Sequence, residues 1–78
     1  MVDLKATLHD MAAAIVDTPD EVTVDCEETD TEINMTLRVA PDDMGMVIGK
    51  HGKIAKSIRS VIKAAAGNIN KKVNVEIR

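Results

Sequence analysis

Met46-Val47-Ile48-Gly49-Lys50-His51-Gly52-Lys53-Ile54 sets two glycines three apart between apolar, helix-patterned flanks. Glycine reaches positive φ without steric cost, so this spacing makes a tight reversal with bare backbone on its outer side. A helix opening directly after such a turn points its positive dipole end, and N–H groups that have no intrahelical partner, at the same place. Gly49-Lys50-His51-Gly52 alone is of low specificity. Its flanks carry the reading.

Downstream, Ile54, Ile58, Val61, Ile62 and Ala65 recur at helical spacing as one apolar stripe, with Lys56, Arg59 and Lys63 on the other side and Lys53 and Ser57 between. Gly67 is placed to end this helix. Upstream, Pro41-Asp42-Asp43 supplies a helix start, and a short helix can run to about Ile48 before Gly49 stops it. Val22, Val24 and Cys26 alternate with polar residues, as do Ile33, Met35, Leu37 and Val39, and Glu28-Thr29-Asp30 lies between the two runs. That pattern predicts a hairpin of half-buried strands in which Cys26 is a small core residue. Leu4, Leu8, Met11 and Ile15 predict an amphipathic helix over residues 3–17, ended by Thr18-Pro19-Asp20. A loop over residues 67–72 leads into Val73, Val75 and Ile77, which alternate as a last strand. The predicted order is helix, strand, strand, helix, helix, strand, an α+β arrangement in one domain over residues 1–78.

Charge divides along the chain. Residues 1–43 hold twelve acids against Lys5 and Arg38, a net of −10, while residues 44–78 hold eight bases against Glu76 alone, a net of +7. The whole-chain charge of −3 therefore conceals a basic half that begins at the glycine turn, a pointer to an anionic partner. The acids alternate through exposed positions of the predicted helix and hairpin and read as a solubilising surface that keeps an anion oriented towards the basic half.

With 78 residues the chain has room for one small core, and that core must be aliphatic because Phe, Tyr and Trp are all absent. The lack of aromatics also argues against nucleic-acid folds that stack bases on aromatic side chains. A lone cysteine excludes an internal disulfide, and no leader or long apolar run is present, so a soluble, cytoplasmic protein is expected. His9, His51 and Cys26 show no metal-ligand spacing, and no cofactor is implied.

Lys53 stands in the first turn of a helix, where the dipole penalises a cation by roughly 0.3–1 kcal/mol, and Lys50 stands just before it. A bound phosphate reverses the sign of both interactions. Gly45 to His51 superficially resembles a phosphate-binding loop of nucleotide hydrolases. Three residues rather than four separate its glycines, however, and His51 stands where a hydroxyl should hold magnesium. No catalytic constellation is recognisable, so the chain reads as a binding protein and not an enzyme.

Ile48-Gly49-Lys50-His51-Gly52-Lys53-Ile54, between a short and a long helix, resembles the KH domain, and the element order resembles its type II arrangement. The chain is similar over nearly its whole length to the small bacterial single-KH RNA-binding proteins of the KhpA type. The resemblance implies a three-stranded sheet with three helices on one face and a groove for about four single-stranded nucleotides. It makes Gly49, Lys50, His51 and Gly52 the backbone clamp, with Lys50 and Lys53 neutralising phosphates and Ile48, Ile54 and Val47 in the apolar groove wall. Lys56, one turn into the helix, is a further phosphate contact, while Arg59 and Lys63 steer RNA and His51 is a solvated turn residue. The loop 67–72 matches the family's variable loop, and the far wall is the last strand near Val73, Asn74 and Val75, whose backbone can bond base edges. The resemblance further implies a post-transcriptional regulator or RNA chaperone that homodimerises or pairs with a larger KH-containing RNA-binding protein. The clusters Ala12-Ala13-Ala14 and Ala64-Ala65-Ala66 suit such pairing.

Overall fold

Helix α1 spans Leu4–Ile15 in the computed structural model, which describes residues 3–67 and 70–78. The Asp3 carboxylate caps it by accepting the Ala6 N–H at 3.1 Å, which satisfies one of the donors a helix start leaves free. The helix stops two residues earlier than its periodicity suggests, because Val16 turns extended and carries the chain towards Pro19. Val16 is nevertheless buried, so the apolar stripe outlasts the helix itself.

Strands β1 (Thr23–Glu28) and β2 (Glu32–Arg38) form the expected hairpin, with Cys26 opposite Met35. Its turn is closed by the Thr29 hydroxyl, which accepts the N–H groups of Thr31 and Glu32 at 3.3 and 3.0 Å. From β2 the chain crosses through a 3₁₀ turn (Pro41–Asp43), helix α2 (Met44–Ile48), the glycine turn and helix α3 (Lys53–Ala66). Strand β3 (Lys72–Ile77) then lies parallel to β2, with Ile33 level with Val73 and Met35 with Val75. A parallel neighbour requires such a long crossover. The sheet order is β1-β2-β3, so β3 is an edge strand.

Residues facing alternate sides of β2 decide where the helices sit. Ile33, Met35 and Leu37 are buried beneath them, while Asn34 and Thr36 lie on the opposite, polar face. Leu8 and Ala12 of α1, Val47 of α2 and Ile58 and Ile62 of α3 close over these residues together with Val73 and Val75. Each large aliphatic side chain so buried contributes about 1.5–3 kcal/mol, and these contributions stand in for aromatic packing.

Three sequence expectations are corrected. Cys26 shares the inward phase of Val24 but is exposed, because β1 is an edge strand: Met35 opposite it on β2 is buried, whereas Val24 is the only buried residue of β1. Val61 is 46% exposed, since the buried line of α3 runs through Ala55, Ile58 and Ile62 and leaves Val61 on its outer flank. Asp43 is not part of a solvated acidic surface. It is buried at the head of α2 and accepts the Thr18 N–H at 2.9 Å, tying the loop after α1 to the helix that leads into the glycine turn. Of the loop 67–72, residues 68 and 69 lie outside the described residues.

Candidate nucleic-acid interface

The glycine turn joins α2 to α3 by three positive φ angles in four residues: Gly49 at 72°, His51 at 58° and Gly52 at 72°. Gly49 pairs its φ with a ψ of −179°, a region open essentially to glycine alone. A Cβ built there would also lie 2.6 Å from Cγ1 of Ile54, so backbone conformation and packing impose the same residue. Gly52 occupies the left-handed helical region with open space around it, and only its φ favours glycine. His51 is a non-glycine residue held in that region, where its side chain is exposed.

Backbone donors converge on this turn. Gly49 N–H returns to the Gly45 carbonyl at 2.9 Å and Gly52 N–H to Gly49 at 3.3 Å, whereas those of Lys50 and His51 meet no acceptor among the described residues. Helix α3 begins immediately beyond, with no side-chain cap and no acid in its first turn. The positive end of a 14-residue helix is thus left uncompensated beside two free donors.

Lys50, Lys53 and Lys56 are exposed around this point, and among the described residues none has a carboxylate within 4.0 Å. Two other bases of the second half are spoken for. Lys71 pairs with Glu28, and Arg78 pairs with Glu76 at 3.0 Å. The Arg78 guanidinium, by hydrogen bond and then by charge, holds the Glu76 carboxyl below its ordinary value. Ile48 is 39% exposed next to the turn and Ile54 half-buried behind Gly49, so both apolar flanks stand at the turn. Val47 is fully buried and belongs to the core rather than to an open wall.

The three predicted strand residues part company. Val73 and Val75 send their side chains into the core, while Asn74 lies on the polar face and donates to the Asn34 side-chain oxygen at 2.8 Å. What the two valines can offer a ligand is backbone. Lys72 N–H and Arg78 N–H bond to Thr31 and Leu37 on the β2 side. Alternation along a parallel ladder then turns the N–H and C=O of Val73, Val75 and Ile77 to the open edge. The Val75 carbonyl already has a partner, for Arg59 reaches from α3 and donates Nε–H to it at 3.1 Å. Sequence gave no sign of this tie, since the two residues belong to different elements sixteen positions apart.

The turn and the sheet order together are those of a type II KH fold, and comparison with known proteins agrees. The KH domain of KhpA and KhpB matches residues 5–77. The chain belongs to that family. Among its relatives, an RNA-binding protein KhpA of Clostridium acetobutylicum is 54% identical over 95% of this chain and 99% of its own. KhpA proteins of Clostridium perfringens and Oceanobacillus iheyensis are 49% and 39% identical over the same shares. No solved structure matches. The KhpA/KhpB family is non-catalytic, and among the described residues no helix is long and apolar enough to cross a membrane.

Proposed function

We propose that this protein is a cytoplasmic, single-domain, non-catalytic binder of single-stranded RNA that grips about four nucleotides at the glycine turn. The observation that carries the reading is the pair of N–H groups at Lys50 and His51 that are unpartnered among the described residues, set at the uncapped start of α3 beside three lysines that have no ion-pair partner there. Phosphate satisfies the donors, the dipole and the lysines at once. Ile48, Ile54 and the open edge of β3 at Val73 and Val75 form the walls along which bases lie, and Lys56 extends the phosphate track. The relatives' name, RNA-binding protein, supports the reading. On this reading the protein acts as a post-transcriptional regulator or RNA chaperone. Anisotropy titration with a labelled single-stranded octamer and with the same octamer in a duplex tests this: the single strand is bound and the duplex is not. Equal binding of both would contradict a groove built for splayed bases.

A second reading concerns assembly. Val61 is exposed on α3, with Ala64 exposed and Ala65 half-exposed on the following turn, a small and shallow apolar face. We infer that this face pairs with a second copy or with a larger KH-containing RNA-binding protein, which adds a second groove and raises avidity. Light scattering over a concentration series separates the cases, a monomer at tens of micromolar ruling out the homodimer.

A further inference from the structure

We propose that Arg59 sets base preference in the groove by engaging the Val75 carbonyl and adding its Nη donors beside the Val75 N–H at the open edge of β3. The proposal rests on the single-stranded RNA reading above.

An outward-facing residue of a parallel edge strand presents one N–H and one C=O side by side. Such a pair complements any base edge that carries a neighbouring acceptor and donor, and all four bases have one. At Val75 this pair is biased towards donors. Its carbonyl accepts Nε–H of Arg59 at 3.1 Å, while the alternation of the parallel ladder turns its own N–H to the open edge. The guanidinium has five N–H donors and no acceptor, and one of the five is spent on Val75. No carboxylate lies within 4.0 Å of Arg59 among the described residues, so its Nη groups remain available at the strand edge. Arg59 is also one helical step from Lys56, on the exposed side of α3.

A base lying against Val75 therefore meets a cluster of donors, Val75 N–H and the Nη fork, beside a carbonyl that Arg59 already engages. Two adjacent acceptors match such a fork. Guanine has them at O6 and N7, and cytosine at O2 and N3, whereas adenine and uracil have no two acceptors side by side. The bond to Val75 fixes the guanidinium plane before RNA arrives, so little side-chain freedom is lost on binding. Arg59 is thus a specificity-determining residue, distinct from the clamp that supplies affinity.

The test is anisotropy titration of the intact protein with unstructured octamers: oligo(A), oligo(U), oligo(C), and oligo(A) carrying isolated guanines. The parent protein, Arg59→Ala, Arg59→Lys and the clamp double variant Lys50→Asp/His51→Asp are compared. Cytosine- and guanine-bearing strands are expected to bind the parent roughly tenfold more tightly than oligo(A) or oligo(U), the discrimination typical of one bidentate contact. Arg59→Ala should bring that ratio close to one while oligo(A) binding stays sensitive to the clamp substitutions. Arg59→Lys, which keeps the charge but not the fork, should also lose the ratio. Clamp-sensitive binding without a base ratio in the parent, or a ratio unchanged in Arg59→Ala, overturns the role of Arg59 alone and leaves it a staple between α3 and β3. Failure of the parent to bind any of the strands overturns the RNA reading together with it.

Discussion

Gly49 and Ile54 are packed so closely that a methyl group on the glycine would overlap the isoleucine, its Cβ falling 2.6 Å from Cγ1. The turn is thereby locked from both ends: backbone conformation forbids a side chain at Gly49, and Ile54 fills the space one would need.

Gly49→Ala should therefore destabilise by about 2 kcal/mol or more, combining strain in a region closed to alanine with the clash. Gly52→Ala meets no neighbour and should cost only about 1 kcal/mol, the ordinary penalty for a left-handed residue. Gly52→Asn should cost less still, because asparagine tolerates that region. Urea denaturation of the three variants checks the order.

Buried Asp43 holds the Thr18 N–H at 2.9 Å, and its removal orphans that donor. Asp43→Ala should lower stability by about 1–3 kcal/mol, whereas Asp43→Asn keeps an acceptor and should lose less. Denaturant midpoints compare the two directly.

Ile62→Ala and Val61→Ala change neighbouring aliphatic residues on one helix, yet Ile62 is fully buried and Val61 46% exposed. The first should cost about 2–5 kcal/mol and the second fall within about 0.5 kcal/mol of the parent. Val61→Asp should leave the monomer folded and, on the assembly reading, abolish self-association in light scattering.

The contrast shows what periodicity could and could not reveal. Alternation and helical spacing fixed the phase of every element, so Ile33, Met35, Leu37, Ile58 and Ile62 lie inward as expected. Phase does not say how far the cover extends sideways: Cys26 is in phase but on the edge strand, and Val61 is beside the stripe and outside the contact. The glycine turn was legible because its geometry is local. Asp43 with Thr18 and Arg59 with Val75 were not, since each joins a side chain to a backbone group in another element, and spacing carries no trace of such a pair.

Salt should weaken RNA binding along a log–log slope near −2, from three phosphate contacts at roughly 0.7 each for a single strand. Lys56→Ala should reduce that slope by about 0.7 if Lys56 touches a phosphate. A slope left unchanged would assign Lys56 to the solvated face of α3.

The most direct measurement of the central claim is RNA binding by the double variant Lys50→Asp/His51→Asp, alongside its thermal unfolding. Both side chains are exposed and aspartate tolerates the left-handed conformation of His51, so the fold should survive with a melting curve close to that of the parent. The predicted result is loss of binding to single-stranded RNA by a folded protein. A folded variant that binds RNA as tightly as the parent would contradict the account.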